Sequence, residues 1–319
     1  MTQPLVSVTI ITYKQEKYIT QCIESVLAQK VNFDYEIIIG DDMSPDNTRT
    51  ICQSYAEKYD FIRLCSRTKN LGVAGNWADC TRQTKGKYIM MLDGDDYWQN
   101  PNKMQMQVDL MEAHPECVLC HTDHDTLKMK TGRLEKNVNL RRNVCPPEGM
   151  IQRETASGKD CMLSSTICMR GDVTRKRIPF DTYIEQGFAR EDWPTIVILS
   201  AYGEVRYIPT STTTYRVGQP SVTNEINYDK IRDTNERDFA MASFLYSMFP
   251  EWGPMDQGTI DYYKTHVYHN LLVAAYKNND YKSAREFATK DPTNTKAKRY
   301  AKNWFTFQLY RLLRILKYQ

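Results

Sequence analysis

One ten-residue stretch narrows the possible folds more than any other: Lys87-Tyr-Ile-Met-Met-Leu-Asp-Gly-Asp-Asp96. Its apolar run, rich in Met, Leu and Ile, predicts a buried strand in the middle of a parallel sheet. Strands covered on both faces read as continuous hydrophobic runs rather than alternating ones. The run stops abruptly at Asp93, Asp95 and Asp96, which gathers negative charge at the strand's C-terminal end. In open α/β sheets that edge is where ligands bind. Three carboxylates this close repel one another unless a cation neutralises them. Hard oxygen donors suit Mn²⁺ or Mg²⁺, which commonly bridge to phosphates. An acidic turn ahead of a helix begun at Asn100-Pro101 accounts for one Asp and poorly for three.

The chain before this stretch repeats the pattern. Leu5–Ile11 is an apolar β-rich run that stops at Thr12-Tyr13-Lys14, and residues 16–29 then carry Ile19, Cys22, Ile23, Val26 and Leu27 at helical spacing. Tyr35–Gly40 is a second buried strand, ending in Asp41-Asp42 and a Ser/Asp/Asn-rich turn that caps a helix reaching about residue 58. A short strand at Phe61–Cys65 and a glycine-punctuated loop, Asn70-Leu-Gly72-Val-Ala-Gly75-Asn76, lead into a third helix. Strand–helix alternation with short connections predicts a doubly wound α/β fold with a mostly parallel central sheet and right-handed crossovers. The acidic ends of the second and fourth strands then lie on one edge.

Further on, a helix is expected at about 101–113, then a strand over 116–125 containing His121, Asp123, His124 and Asp125. Alternate side chains diverge on a strand, which disfavours a second metal site there. The same reasoning makes Cys117 and Cys120 structural, despite their CxxC spacing. Residues 128–160 are polar and basic, and read as a mobile loop on the acceptor side. Strand character returns at Cys161–Met169 and at Gly203–Ile208, with a strongly apolar helix over Thr195–Ala201 between them. Glu191 or Asp192 is placed to cap that helix. Thr212-Thr-Thr-Tyr215-Arg216 brings a cation towards the same edge, where a surface salt bridge is the plainer expectation. No GxGxxG follows the first strand and no GxxxxGK[ST] occurs, so a dinucleotide oxidoreductase and a P-loop NTPase lose ground.

Six motifs in order now carry a resemblance. They are Val6-Ser-Val-Thr-Ile-Ile-Thr-Tyr13, Glu36-Ile-Ile-Ile-Gly-Asp41-Asp42-Met-Ser44-Pro-Asp46, Asn70-Leu-Gly72, Asp93-Gly-Asp95-Asp96, Glu191-Asp192-Trp193-Pro194 and Tyr215-Arg216. Over roughly residues 4–217 the chain resembles the family 2 glycosyltransferases of the GT-A fold, a Rossmann-like architecture. The resemblance implies inverting transfer of a sugar from a nucleotide-diphosphate donor, UDP-sugar favoured, to a hydroxyl of a glycan or lipid-linked oligosaccharide. Bacterial surface polysaccharide synthesis is the implied setting. By position, Thr12 and Tyr13 hold the nucleotide base, Asp42 with Asp41 accepts hydrogen bonds from it, and Asn76 lies near the nucleotide. Many relatives carry Arg-Asn there, and Gly75 replaces the Arg. Asp93-Gly-Asp95 resembles the DxD signature, with Asp95 the direct ligand of Mn²⁺ or Mg²⁺, aided by Asp93, and Asp96 as neighbour. Asp192 resembles the catalytic base, with Glu191 the alternative. Arg216 either neutralises phosphate or shapes the acceptor side.

The resemblance ends near residue 217; the catalytic domain is taken as 1–221, and residues 222–319 read as a helical accessory region, with helices at Arg232–Met248, Thr259–Lys277 and Tyr281–Thr289. Tyr268, Leu271, Leu272 and Ala275 form a core-type stripe. After Asp291 the chain has no acidic residue, while Lys and Arg interleave with aromatic and aliphatic side chains. A basic amphipathic helix of that kind suits an anionic membrane surface, so 293–319 is expected to make peripheral contact with the inner face of the cell membrane. Packing on its own domain or a second protomer is the competing expectation.

At 319 residues, 41% apolar and 25% charged, the chain can bury a large domain and an appendage. Its net charge of +3 gives no argument for nucleic acid as a partner. No stretch approaches the ~18 apolar residues of a membrane span. The N-terminus lacks a basic region followed by an apolar segment, and nine scattered cysteines suit reduced thiols, so a cytoplasmic enzyme is expected. Two other readings compete: a Mg²⁺-dependent receiver-like signalling domain, and a sugar-nucleotide-binding relative without turnover. The sequence leaves oligomeric state open.

Overall fold

The computed structural model describes residues 3–142, 148–152, 162–218, 226–292 and 295–317, with backbone alone for 314–317. The chain divides into two compact units, 1–127 with 133–217, and 128–132 with 218–319.

The first unit begins β1 (Val6–Thr12), α1 (Ile19–Leu27), β2 (Tyr35–Asp41), α2 (Thr48–Lys58), β3 (Ile62–Leu64), α3 (Gly72–Arg82) and β4 (Tyr88–Asp93). It continues with β5 (Tyr97–Trp98), α4 (Lys103–Ala113), β6 (Cys117–Lys128), β7 (Arg133–Glu135) and α5 (Val138–Arg141). A 3₁₀ turn at Ser164–Thr166 precedes β8 (Cys168–Arg170), α6 (Gly171–Arg177), α7 (Phe180–Gln186), α8 (Asp192–Leu199) and β9 (Glu204–Val217). The strands form one sheet in the order β3-β2-β1-β4-β8-β6-β9-β5, with β7 on β6, flanked by helices.

The expected parallel pairing holds for β3, β2, β1 and β4. Beyond β4 the pairs β4–β8, β8–β6 and β9–β5 are antiparallel. Every residue of β1 is buried, as its unbroken apolar run requires. Val8, Ile10, Met90 and Leu92 pack with Ile19, Ile23 and Val26 of α1 and with Met104, Val108 and Met111 of α4. Truncating one of these side chains to Ala costs about 2–5 kcal/mol through lost transfer energy and a residual cavity. Register then positions the site: Ile11 pairs with Asp93 and Thr12 with Asp41, so β1, β2 and β4 end together.

Several expectations shift. Residue 161 lies outside the described residues, and the region around 164 is a turn rather than a strand, leaving only Cys168–Arg170 extended. The apolar helix starts at Asp192, because Pro194 falls in its first turn, where a missing N–H leaves no bond unmade. The polar 128–160 segment contains β7 and α5, with 143–147 and 153–160 outside the described residues. Cys117 and Cys120 are buried free thiols on β6.

The second unit contains α9 (Tyr228–Met248), α10 (Gln257–Lys277), α11 (Tyr281–Lys290), α12 (Lys296–Tyr300) and α13 (Trp304–Lys317). Asn227, Asp256, Asp280 and Thr295 each accept a backbone N–H at the start of one of the first four helices, which is why those helices begin there. Leu271, Leu272, Ala275, Phe287 and Phe307 form its core.

Candidate active site

The floor of the site is the joint end of β1, β2 and β4. The Thr12 carbonyl accepts the Asp42 N–H at 3.0 Å, and the Ile11 carbonyl accepts that of Gly94 at 2.9 Å. Thr12 Oγ1 lies 2.8 Å from Gln15 Oε1. A Cβ on Gly94 would come within 2.4 Å of Gln15 Oε1 and 2.7 Å of Thr12 Oγ1, so the acidic turn needs glycine between its acids. Tyr13 extends from the same edge and is exposed, with the Lys14 ammonium 5.2 Å from its ring centroid.

At the end of β2 the two carboxylates face different surroundings. Asp41 is fully buried, accepts the Ser44 N–H at 3.3 Å and has Arg49 at 3.7 Å. Asp42 receives a backbone N–H on each oxygen, from Leu71 at 2.7 Å and Gly72 at 2.9 Å, so it satisfies the orphan donors at the start of α3. Burial pushes the Asp42 carboxyl up, while those two N–H groups and the Arg67 charge oppose the rise. Asn76 is buried, donates to the Gly40 carbonyl at 2.7 Å and accepts from Arg67 at 2.9 Å. A Cβ on Gly40 would collide with the Asn76 amide at 2.3 Å, so the glycine lets α3 close on β2.

At the end of β4 the acids are held by the 3₁₀ turn. Ser164 Oγ donates to Asp93 Oδ2 at 2.5 Å. Ser165 Oγ lies 3.1 Å from both Asp93 Oδ2 and Asp96 Oδ2, and its single proton serves one of them at a time. The turn itself is fixed from behind. Trp98 Nε1 and Thr213 Oγ1 each donate to the Ser165 carbonyl at 3.0 Å, and Gln107 Nε2 donates to the Thr166 carbonyl at 2.9 Å. Burial, then the Asp95 charge, pushes Asp93 up to about 6, and Asp192 adds to the rise. Asp96, fully buried, is pushed well above the carboxylate range by burial and then by Asp95 and Asp93.

Arg216 is buried, which excludes the surface salt bridge, one of the two readings open for it. Its guanidinium lies 5.0 Å from the Tyr18 ring and 4.7 Å from the Tyr97 ring, and it donates to the Asp95 carbonyl and Gln21 Oε1. Its own N–H donates to Asp96 Oδ1 at 3.0 Å. The residue therefore fastens the end of β9 to the acidic turn.

Glu191 and Asp192 open α8 and differ sharply. Neither gives the helix a side-chain cap of the expected kind, Asp192 Oδ1 instead accepting the adjacent Trp193 N–H at 2.7 Å. Glu191 is buried, and burial followed by the Asp192 and Asp93 charges pushes its carboxyl well up. Asp192 remains partly accessible. Glu191, Asp192 and Asp93 thus share one electrostatic neighbourhood.

The donor set fits a divalent cation. Hard carboxylate oxygens crowd the β4 end, with protonation favoured in the absence of added positive charge. Among the described residues no three His, Cys, Asp or Glu side chains close around a metal.

Residues 7–173 match the glycosyl transferase family 2. The chain belongs to this family. An uncharacterised protein of Mycobacterium bovis is 29% identical over 243 residues, covering 76% of this chain and 67% of that one. The putative teichuronic acid biosynthesis glycosyltransferase TuaG of Bacillus subtilis is 31% identical over 137 residues, 43% of this chain and 53% of its own. The mannosyltransferase PcManGT of Pyrobaculum calidifontis, solved with GDP-Man and Mn²⁺, superposes with a TM-score of 0.56 at 15% identity, over 100% of this chain and 88% of that one. The last shows the fold alone, an α/β GT-A architecture.

As a family 2 glycosyltransferase the chain is a transferase enzyme, which sets aside the receiver-like and turnover-free alternatives. Of the residues singled out in the sequence, Thr12, Tyr13, Asp41, Asp42, Asp93, Asp95, Asp96 and Arg216 meet around one strand edge, with Glu191 and Asp192 coupled to it by charge. Asn76 faces inward. His121 is buried beside the Tyr207 ring, and Asp123 accepts the N–H groups of His124, Asn139 and Leu140, so that segment braces β6. Ser164, Ser165 and Arg67 were missed. The two serines carry no motif, and Arg67 fits no spacing with Asn76 that a sequence displays.

Proposed function

We propose that this glycosyltransferase moves a sugar, with inversion, from a nucleotide-diphosphate donor, a UDP-sugar first, to a hydroxyl of a glycan or lipid-linked acceptor. Surface polysaccharide synthesis is the proposed setting, supported by the relative named for teichuronic acid biosynthesis. The carrying observation is one strand edge that combines a hydrogen-bonded acid pair, an under-neutralised acid cluster and an accessible carboxylate, Asp192.

In this reading Thr12 and the exposed Tyr13 ring hold the base, and Asp42, with Asp41 behind it, accepts its hydrogen bonds. Asn76 acts at one remove, by seating Gly40. Asp95 and Asp93 would hold Mn²⁺ or Mg²⁺, as the Mn²⁺-bound neighbour supports; when bound, the ion supplies positive charge opposite the departing diphosphate. Asp96 and Arg216 keep the acidic turn in position. Asp192 accepts the acceptor's hydroxyl proton as that oxygen attacks the anomeric carbon. The bond to the diphosphate oxygen breaks on the opposite face, its electron pair leaving with the diphosphate, and the configuration inverts. Glu191 is a poorer base, because burial favours its neutral form.

Residues 1–221 are the proposed catalytic domain and 222–319 the accessory region. Among the described residues no helix is long and apolar enough to cross a membrane. The proposed location is cytoplasmic, with peripheral contact through 293–319.

Asp192→Asn tests the assignment. Transfer is expected to fall by about 10²–10⁴, with donor binding retained; loss of donor affinity with turnover preserved would contradict it. A thermal-shift panel of UDP-, GDP- and dTDP-sugars with Mn²⁺ identifies the donor, since only a bound nucleotide raises the melting temperature by mass action.

A further inference from the structure

Helix α13 is amphipathic in an unusual sense, because both of its long faces carry apolar side chains. One face packs against its own unit. Phe307 is 0% exposed, stacks on Tyr276 at 4.5 Å and meets Tyr281 at 5.4 Å, while Tyr310 lies 4.9 Å from Tyr276 and 5.2 Å from Tyr300. At about 100° per residue, Phe305, Leu309 and Leu312 form a strip on the opposite side. Phe305 is 74% exposed and Leu312 56%, with Trp304 and Leu313 exposed at the margins. The packed face anchors the helix, so the exposed strip belongs to a seated element.

Charge selects the occupant. Lys296, Arg299 and Lys302, which precede the strip in the chain, are exposed. From residue 292 to the last residue there are seven Lys or Arg and no Asp or Glu. A second copy would bring the same positive charge against this one, whereas an anionic bilayer offers both countercharge and an apolar interior. Trp at the edge of such a strip suits the headgroup boundary.

We propose that α13 is a lipid-docking helix that inserts Phe305, Leu309 and Leu312 into the interface of an anionic membrane, with Lys296, Arg299 and Lys302 against acidic headgroups. This deepens the peripheral-membrane part of the proposed function and is independent of the sugar, the metal and the catalytic base.

The full-length protein is sedimented with phosphatidylcholine vesicles and with vesicles containing about one third phosphatidylglycerol. Binding is expected to the anionic vesicles, weakened by salt, with a blue shift in tryptophan fluorescence that Trp304→Phe removes. The pair Phe305→Glu and Leu312→Glu, at exposed positions, is expected to lower partitioning at least ~10-fold while leaving the sugar-nucleotide thermal shift unchanged. No binding to anionic vesicles, equal binding to neutral ones, or binding indifferent to the two substitutions overturns the inference. So does a concentration-dependent dimer that the substitutions abolish without any vesicle binding. Failure of sugar transfer with vesicle binding intact would sink the catalytic reading alone.

Discussion

The acidic ends of β2 and β4 flank the same strand, β1, yet are stabilised in opposite ways. Asp42 has a backbone N–H on each carboxylate oxygen and the Arg67 charge nearby, an arrangement complete in the protein alone. At β4, Asp93 and Asp96 share the hydroxyls of Ser164 and Ser165 and one N–H from Arg216, with Asp95 beside them. The Arg216 guanidinium donates to the Asp95 carbonyl. Hydrogen bonds serve the Asp42 carboxylate, whereas at β4 burial and neighbouring charge push Asp93 and Asp96 up, a rise that added positive charge would relieve. The contrast is the basis of the proposal that the β2 end serves recognition and the β4 end the metal and diphosphate.

Breaking each end in turn separates the two roles. Asp95→Ala is expected to abolish Mn²⁺-dependent donor binding, at least ~10-fold in affinity, read as loss of the Mn²⁺-dependent thermal shift. Asp42→Asn is expected to weaken donor binding equally with and without metal. It also costs about 1–3 kcal/mol of stability, because an amide nitrogen then faces the N–H of Leu71 or Gly72 unpaired. A metal-dependent effect of Asp42→Asn would erase the contrast. The smallest effect is on pH. Asp93 has a folded value of about 6, above its ordinary 3.8, so its contribution to stability is fully present below the ordinary value and lost as pH rises through about 6. Asp96 and Glu191 extend the same trend upward. The melting temperature without metal should therefore fall as pH rises from about 4 through 6, and added Mn²⁺ should flatten the fall.

Much of this was legible in the chain. The run Tyr88–Leu92 ending in acids pointed to a central strand with an acidic end, since continuous apolarity and an abrupt charge change are both local signals. Strand–helix alternation gave the parallel half of the sheet. The antiparallel half was obscure, because β8 has three residues and its partners β4 and β6 are set by distant contacts. Ser164 and Ser165 reach Asp93 across about 70 positions, beyond any spacing rule. Burial was equally hidden: Glu191 and Asp192 are adjacent acids in sequence, and only packing buries the first and leaves the second partly accessible. The inward packing of Asn76 was hidden too, since its motif shows nothing of the close approach at Gly40.

The central claim is that the β4 end is incomplete without a cation. Calorimetric titration of the wild-type protein with a UDP-sugar, in Mn²⁺ and then in chelator, tests it most directly. The account predicts tight donor binding with Mn²⁺ and at least ~10-fold weaker binding in chelator. Equal affinity in both would contradict it.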